Sequence, residues 1–304
     1  MQRIVGIIGA GHVGADTAFS LVTQGLCDQI ILIDENEAKA HSQGLELRDM
    51  ASLVSSSVHI VVNDYAALKR AQVVVMAVGP TSALREDRME ELLETSAAVG
   101  QAVPRIMAGG FQGVFINITN PCDVITRLIQ HISGLPVSRV FGTGTSLDTA
   151  RMKRVVGEFF AVDPKSVDGY VMGEHGESQF VAWSTVRIGG VPIGGFDAGK
   201  PLDLPSMKDQ VRAGGWQILQ GKGWTSFGIG TAAARLVDAV LSDGRTVFPV
   251  SVWDERQGVY IGRPAVVGAG GIVQSVAVPL TEEEQQAFEA SAKVIGRAFG
   301  TIAL

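Results

Sequence analysis

Three side chains near the middle of the sequence have the types that hydride transfer to a carbonyl group requires. Asp148 and Arg151 lie three residues apart, so a helix would place both on one face. His175 follows in the glycine-flanked segment Gly173–Gly176. An imidazole has a pKa near neutrality and can donate a proton to a ketone oxygen as hydride reaches the carbon. A carboxylate can fix the imidazole tautomer, and an arginine can bind a substrate carboxylate through two hydrogen bonds.

Each of these features has a simpler interpretation when it is taken alone. An acid and a base at the spacing of Asp148 and Arg151 more often form a surface ion pair, and a single histidine such as His175 can be structural. Spacing along the chain does not show that the three side chains meet in space. Their elements must bring them together.

A second group of residues has the pattern of a dinucleotide-binding turn. The segment Gly9–Gly14, with the sequence GAGHVG, follows an apolar run and opens a helical pattern. Its glycines allow a tight turn close to a pyrophosphate, and the helix N-terminus offers free N–H groups. Asp34 ends the next apolar run, where its carboxylate can accept the ribose hydroxyls, and Glu35 adds a second negative charge. We therefore expect NAD and not NADP as the cofactor.

The first half of the chain alternates strand and helix patterns. Apolar runs predict strands at 3–8, 29–34, 58–62, 72–78, 112–117 and 138–142. Amphipathic stretches between them predict helices at 13–25, 36–54, 86–108 and 122–133. Strands separated by helices form a parallel sheet with helices on both faces. We therefore expect a Rossmann-type doubly wound parallel sheet in an NAD-binding domain of residues 1–143.

The second half of the chain has a mixed pattern. Helices are predicted at 145–160, 205–220, 226–242 and after Thr281, and strands at 179–188, 246–253 and 257–267. No Pro/Gly/Ser-rich linker separates the halves. We therefore expect a mixed α+β catalytic (substrate) domain of residues 144–304, packed directly on the first domain with a cleft between them.

Composition excludes several classes of protein. The 304 residues are 46% hydrophobic and 18% charged, which is typical of a globular chain and not of a disordered one. A net charge of −6 without basic runs argues against a nucleic-acid binder. No secretory signal and no apolar stretch of membrane-spanning length is visible, and Cys27 and Cys122 form no metal-spaced pair. We expect a cytoplasmic protein without a metal.

Several long motifs, in the same order, resemble the L-lactate/malate dehydrogenase superfamily over nearly the whole chain. The matching segments are Gly9–Gly14, Asp34, Asn117–Pro121, Gly142–Arg151, Gly173–Gly176 and Gly221–Ser226. The stretch from Gly173 to Arg187 is especially similar to L-2-hydroxyisocaproate dehydrogenases. The resemblance implies an NAD-dependent L-2-hydroxyacid dehydrogenase that transfers a hydride reversibly between NADH and a monocarboxylic 2-oxo acid, either pyruvate or 2-oxoisocaproate. It also implies a homodimer or a homotetramer.

The resemblance assigns roles to individual residues. It makes His175 the proton donor and acceptor, Asp148 its partner and Arg151 the clamp on the substrate carboxylate. Arg88 matches the arginine of a mobile lid, which polarises the substrate carbonyl when the lid closes. The expected substrate contacts are Arg151, Asn120, Thr225 and Ser82. The expected cofactor contacts are Gly9, Gly11, His12, Val13, Gly14, Asp34, Gly79, Asn120 and Ile229.

The segment before Arg88 departs from the family pattern. Six positions before Arg88, lactate enzymes usually carry glutamine and malate enzymes arginine, but this chain has Ser82. The segment from Gly79 to Arg88 also lacks the extra residues of hydroxyisocaproate dehydrogenases. Ser82 favours monocarboxylic substrates, and a malate dehydrogenase remains the alternative because Arg85 could replace the missing arginine.

A second departure concerns regulation. Allosteric bacterial lactate dehydrogenases bind fructose bisphosphate at basic positions of a subunit interface. The corresponding positions here are Lys153 and Asp168, and the second has the wrong charge. The sequence therefore predicts no activation by fructose 1,6-bisphosphate.

Two rival classes of protein remain to be weighed. NAD- and metal-dependent glycosidases use a cysteine–histidine metal site, and neither cysteine here lies beside a suitable histidine. A non-catalytic, structural NAD-binding protein is expected to lack at least one member of the catalytic set. All four members are present, namely Arg88, Asp148, Arg151 and His175.

Overall fold

The computed structural model of the chain describes residues 2–79 and 88–302. Its strands are β1 (Ile4–Ile8), β2 (Gln29–Ile33), β3 (His59–Val62), β4 (Val73–Met76), β5 (Val114–Asn117), β6 (Val140–Gly142), β7 (Val167–Met172), β8 (Phe180–Ile188), β9 (Val191–Pro192), β10 (Thr246–Asp254), β11 (Val259–Gly268) and β12 (Gly271–Ser275). Its helices are α1 (His12–Thr23), α2 (Glu37–Ala51), α3 (Arg88–Ala108), α4 (Cys122–Ser133), α5 (Ser146–Phe160), α6 (Leu204–Lys222), α7 (Phe227–Leu241) and α8 (Glu282–Phe299).

Six parallel strands carry the first half of the fold. They lie in the order β3-β2-β1-β4-β5-β6, so the strand order reverses between β1 and β4. The strands β1, β2, β4, β5 and β6 are buried along their whole length, as expected for a sheet covered on both faces. In such sheets, ligands bind at the carboxyl ends of the strands where the order reverses. The predicted doubly wound parallel sheet is confirmed.

The sheet continues into the second half of the chain. Strands β10, β11 and β12 add to β6 in antiparallel orientation and complete a nine-stranded sheet. Gly144 lies at this junction with φ of +49°, and a Cβ there would stand 2.3 Å from the backbone nitrogen of Ser251. Only glycine accommodates both that backbone conformation and that approach. The division of the chain at residues 143 and 144 stays a prediction, because hydrogen bonds of one sheet cross it.

Helices cover both faces of the sheet and create two apolar cores. On one face, Val99 of α3, Ile125 of α4 and Ile295 of α8 belong to one buried cluster. On the other face, α1, α2 and α7 contribute to a second cluster, with Leu21 and Val237 fully buried. Each helix therefore buries its apolar stripe against the sheet, as its sequence period predicts.

A third core holds the remaining elements together. Strands β7, β8 and β9 form a separate antiparallel sheet, and α5 and α6 pack on it through a cluster that includes Val156, Val186 and Val211. The short strands β9 and β12 are absent from our prediction, because their residues are mostly exposed and carry little apolar periodicity. Among the described residues, no helix has the length and apolarity to cross a membrane, and no group of potential ligands is arranged to hold a metal ion.

Candidate active site

The turn between β1 and α1 has the geometry of a diphosphate cradle. Gly9 adopts φ of +104°, and a Cβ there would lie 2.4 Å from the carbonyl oxygen of Ala77. A Cβ at Gly14 would lie 1.9 Å from the carbonyl oxygen of Gly9. Gly11 caps α1 without a side-chain hydrogen bond, and a Cβ there would meet no atom of the described residues within 4 Å. The turn thus requires glycines and presents an open helix N-terminus, which fits the diphosphate of a dinucleotide.

Asp34 stands directly beside this turn, at the end of β2. Its carboxylate is almost buried and accepts hydrogen bonds from the N–H groups of Ala10 at 2.8 Å and of Asn36 at 2.9 Å. The cofactor turn therefore positions the carboxylate that we expect to bind the adenosine ribose. Lys39 lies 3.6 Å from the same carboxylate and was not among our predicted residues. Its only sequence signal is its place in the first turns of α2, five residues after Asp34.

His12 links the cofactor turn to the segment before α7. Its ring stacks on the indole of Trp224, with ring centroids 3.9 Å apart and planes inclined by 2°. Helix α1 and helix α7 also approach closely, since a Cβ at Gly230 would lie 3.0 Å from the backbone nitrogen of Thr17. Trp224 precedes Thr225, one of the predicted substrate contacts. The cofactor turn and the substrate side of the cleft are thus in direct contact.

Three of the four predicted catalytic side chains, those of Asp148, Arg151 and His175, meet in an ion-pair network. Asp148, in the first turn of α5, is fully buried. Its Oδ2 lies 2.6 Å from Nδ1 of His175, and its Oδ1 accepts a hydrogen bond of 2.8 Å from Nη1 of Arg151. Since Nδ1 of His175 faces Asp148, Nε2 is the ring nitrogen left for a substrate. Asp148 and His175, which lie 27 positions apart in the sequence, are therefore in hydrogen-bond contact.

The charges of this network favour its ionised form. The carboxylate of Asp148 raises the pKa of His175, and this effect outweighs the burial that would lower it. Burial alone would raise the pKa of Asp148, but the charges of His175 and Arg151 bring it below its ordinary value. Asp148 is therefore an anion at neutral pH, and His175 holds its proton more tightly than a free histidine does.

A cleft opens beside this network. It is lined by Val13, Ile118, Asn120, Thr143, Leu147, Arg151, His175, Thr225 and Ile229. Five of these residues were predicted as cofactor or substrate contacts, and His175 was predicted as the proton donor and acceptor. Ile118, Thr143 and Leu147 were not predicted individually. All three lie within the motifs Asn117–Pro121 and Gly142–Arg151, which was the signal that could have identified them.

Arg151 has space and bonding capacity for a ligand. Its Nε is buried and has no hydrogen-bond partner among the described residues. Its guanidinium lies against helix α6, where a Cβ at Gly215 would stand 3.0 Å from Nη2. Glycine in the middle of a helix costs roughly 0.5–1 kcal/mol relative to alanine. The absence of a side chain at Gly215 keeps room for the guanidinium, so this glycine has a positional role.

Two loops hold the cleft residues in place. The amide of Asn117 donates hydrogen bonds to the carbonyl oxygens of Thr119 and Cys122 and so shapes the segment that carries Asn120. The segment from Gly173 to Ser178 is anchored to α8, because the N–H of Glu174 donates to Oγ of Ser291 at 2.7 Å. A side chain at Gly173, whose φ is +95°, would collide with Ser291. His175 therefore sits in a loop of narrowly defined geometry.

One predicted cofactor contact, Gly79, does not line the cleft, and other predicted residues lie outside the described part of the chain. Gly79 follows β4, and a Cβ there would meet no atom of the described residues within 4 Å. Ser82 and Arg85 lie outside the described residues. Arg88 begins α3, and its side chain also lies outside the described part. The predicted roles of Ser82, Arg85 and Arg88 stay predictions.

The two positions considered for an allosteric phosphate site are neighbours in space. Lys153 of α5 lies 3.9 Å from the carboxylate of Asp168 on β7. The side chain of Asp168 is 73% exposed, so its negative charge faces solvent beside the lysine. A phosphate group at Lys153 would meet this carboxylate.

Comparison with known proteins matches both halves of the chain to one family. Residues 3–142 match the NAD-binding domain of lactate/malate dehydrogenases, and residues 145–299 match their alpha/beta C-terminal domain. L-lactate dehydrogenase 1 of Bifidobacterium longum is 40% identical over 298 residues, which are 95% of this chain and 94% of that protein. L-lactate dehydrogenase of Fusobacterium nucleatum is 35% identical over 302 residues, which are 96% of this chain and 95% of that protein. The ligand-bound minor L-lactate dehydrogenase of Enterococcus mundtii superimposes with a TM-score of 0.96 at 33% identity, covering 100% of this chain and 99% of that one.

Proposed function

The chain belongs to the lactate/malate dehydrogenase family as an NAD-dependent oxidoreductase of L-2-hydroxy acids, and we propose that its substrates are monocarboxylic 2-oxo acids such as pyruvate. The observation that carries this proposal is the contact of His175 and Arg151 with the same buried carboxylate, Asp148, at the wall of the cleft. The relatives named L-lactate dehydrogenase favour pyruvate and lactate over the malate alternative.

The charge of the cleft matches a single carboxylate. With His175 protonated, the network of Asp148, His175 and Arg151 carries a net charge of +1. Arg151 and His175 are the only cationic side chains among the described residues that line the cleft. One substrate carboxylate neutralises the network, whereas a second would be buried without a cationic partner among the described residues of the cleft. An unpaired buried charge costs several kcal/mol.

The proposed mechanism follows from these positions. Arg151 binds the substrate carboxylate through its guanidinium, which orients the ketone carbon toward the cofactor side of the cleft. Nε2 of His175 donates a proton to the ketone oxygen in reduction and accepts it back in oxidation. Asp148 stabilises the imidazolium and keeps the proton on Nδ1. Ile118, Leu147 and Ile229 supply apolar walls that limit water. The nicotinamide, when bound, supplies or accepts the hydride.

We assign the remaining site residues as follows. The turn Gly9–Gly14 would hold the cofactor diphosphate and Asp34 the adenosine ribose, with Lys39 beside it. Asn120 and Ile229 line the cleft where the nicotinamide would lie, and Thr225 faces the substrate side. Arg88 would complete the site from the lid. The open helix N-terminus and the buried carboxylate of Asp34 support this placement.

A substrate comparison tests the proposal. NADH oxidation is measured with pyruvate, 2-oxoisocaproate, phenylpyruvate and oxaloacetate, for the wild type and for Ser82→Arg. We expect the wild type to prefer monocarboxylic acids over oxaloacetate by about 100-fold or more in kcat/KM, since the second carboxylate has no cationic partner among the described residues of the cleft. Ser82→Arg should raise kcat/KM for oxaloacetate and lower it for 2-oxoisocaproate. A wild type that already prefers oxaloacetate would contradict the argument that Ser82 excludes dicarboxylic substrates. Arg85 would then be the first residue to replace, since it could pair with the second carboxylate.

We also propose a cytoplasmic homo-oligomer with an NAD-binding domain of residues 1–143 and a catalytic domain of residues 144–304. The limits of the two family matches support the division. Two free, buried thiols fit a reducing compartment. Exposed apolar side chains such as Phe19, Leu53 and Phe227 fit association of subunits. Sedimentation or light scattering would distinguish a dimer from a tetramer, and a monomer would contradict the proposal.

A further inference from the structure

One buried carboxylate beside the catalytic loop is not used by the mechanism above. Asp123 lies in the first turn of α4 and is 1% exposed. Its Oδ2 accepts a hydrogen bond of 2.8 Å from the backbone N–H of His175. Its Oδ1 accepts a hydrogen bond of 2.5 Å from Oγ of Ser251 on β10. Asp123 therefore connects the sheet to the residue that we propose as the proton donor.

Both contacts favour the ionised form of this carboxyl. An N–H and an O–H donate to its two oxygens, and each such bond stabilises the carboxylate relative to the acid. Burial raises the pKa of Asp123 to about 6, against these hydrogen bonds and the charge of His175, which lower it. The group is thus mainly anionic at neutral pH. A buried charge of this kind is costly unless it has partners, and both of its partners belong to the site or to its supporting strand.

We propose that Asp123 is a positioning residue for His175, which holds the backbone of the catalytic loop and adds a second negative charge to the field around the imidazole. The inference rests on the proposed function of His175. Among the described residues, the other charged groups that act on this imidazole are Asp148 and Arg151 of α5, while Glu174 of the same loop acts on Asp123. His175 would then lie in the field of two buried carboxylates. Asp148 holds its ring, and Asp123 holds its backbone.

Two variants distinguish the effect of the Asp123 charge on the imidazole of His175 from the anchoring of the loop backbone. Asp123→Asn keeps the shape of the side chain and an oxygen that accepts from the His175 N–H, but it removes the charge. Ser291→Ala is the matched control, since it removes the backbone anchor of the adjacent Glu174 without changing any charge. If Asp123 acts through its charge, only Asp123→Asn will change the pKa of His175. If it merely supports the loop, both variants will lower kcat without moving the pH profile.

The first measurement is a titration of the histidine side chains by nuclear magnetic resonance in the free protein. The chain has five histidines, and the signal that is lost in His175→Gln identifies the ring of His175. We expect its proton affinity to fall about three- to tenfold in Asp123→Asn, which is half a pKa unit to one unit, and to stay constant in Ser291→Ala. An unchanged His175 titration in a folded Asp123→Asn, or an equal shift in Ser291→Ala, overturns the proposal.

The second measurement needs no variant. In the wild type, the backbone amide proton of His175 should shift with pH as Asp123 ionises, with a midpoint near the pKa of about 6. An amide signal with no inflection below pH 8, other than the one that follows the titration of the imidazole itself, overturns the proposal even if Asp123→Asn does not fold.

The third measurement connects the field to turnover. In Asp123→Asn, the pH at which kcat/KM for pyruvate reduction falls to half should be lower by about half a unit to one unit. This shift corresponds to the three- to tenfold loss of proton affinity expected for His175. A wild type that reduces no 2-oxo acid would reject the proposed function, while the two spectroscopic titrations would still decide the position and charge of Asp123.

Discussion

Replacing Asp148 by asparagine is the sharpest test of the ion-pair network. The variant keeps the shape of a fully buried side chain and removes one negative charge. Its amide offers one oxygen and one NH₂ group where the carboxylate offered two acceptors. The guanidinium of Arg151 can only donate, so the amide oxygen must face Arg151 and the NH₂ group must face Nδ1 of His175. His175 is then forced into the neutral tautomer that carries its proton on Nε2.

The size of the effect follows from the geometry. Unit charges 2.6 Å apart interact by about 6 kcal/mol at an effective dielectric constant of about 20, which is an upper bound. Opposite charges at contact distance commonly shift a pKa by about 1–3 units, and each unit corresponds to about 1.4 kcal/mol. In the wild type, Asp148 raises the pKa of His175, so reduction of the ketone persists to higher pH than a free imidazole would allow. Loss of the charge lowers this pKa, so a smaller fraction of His175 is imidazolium at neutral pH.

We therefore expect kcat/KM for pyruvate reduction by Asp148→Asn at pH 7 to fall by up to about 10- to 1000-fold, which is the loss of proton affinity that a shift of about 1–3 pKa units corresponds to. The midpoint of its pH profile should move to lower pH. Oxidation of the hydroxy acid should also slow, because the forced tautomer has no free acceptor on Nε2. Steady-state rates from pH 5 to pH 9 in both directions measure these changes.

NADH fluorescence titration is the control for an intact cofactor site, since Asp148 does not belong to the turn that binds the diphosphate. The affinity for NADH should stay within about twofold of the wild type. A folded Asp148→Asn with near-normal kcat/KM, or with an unshifted pH profile, would refute the assignment of His175 and Asp148 as a catalytic pair.

The remaining predictions concern the proton donor His175, the choice of cofactor and the response to a sugar bisphosphate. His175→Gln should lower kcat by about 10²- to 10⁴-fold with NADH affinity unchanged, because the imidazole transfers a proton and does not hold the cofactor; normal turnover would remove His175 from the mechanism. NADH should be preferred to NADPH, because Asp34 would face the added phosphate, and like charges about 4 Å apart cost about 1–4 kcal/mol. Lys39, which lies 3.6 Å from the carboxylate of Asp34, brings this cost toward its lower limit. Equal kcat/KM with both cofactors would contradict this placement, and Asp34→Ser should narrow the difference. Fructose 1,6-bisphosphate should not lower the KM for pyruvate, since Asp168 lies beside Lys153; a strong decrease in this KM would show that the exposed carboxylate does not repel the phosphate.

The local features of this protein could be predicted from its sequence. The strand–turn–helix unit around Gly9–Gly14 is encoded by a short apolar run, by glycines at close contacts and by a helical period, all within about twenty residues. The capping of the last helix is equally local, since Thr281 and Glu284 form a reciprocal pair of hydrogen bonds. Motif residues such as Asp148, Arg151 and His175 could be named because their chemistry and their resemblance to one family agree.

Contacts between distant segments were decided only by the tertiary structure. The addition of β10–β12 to the parallel sheet follows from the pairing of Ser251 with Gly142, and no periodicity in either segment specifies that partner. The same holds for Lys39 beside Asp34 and for the stack of His12 on Trp224. Hydrophobic patterns determine which face of an element is buried, but they do not identify the element that covers it.

The catalytic network shows this division most clearly. The sequence determined that a carboxylate, an arginine and a histidine were available, and it determined the helix that carries two of them. Only the folded chain brought Nδ1 of His175 within 2.6 Å of Asp148 and its backbone N–H within 2.8 Å of Asp123, a residue that sequence reasoning did not select. Asp123 is recognisable only through burial and its two hydrogen-bond donors, which come from segments 52 and 128 residues away. Electrostatic fields depend on distances in space, and these distances exist only once the sheet and its helices have assembled.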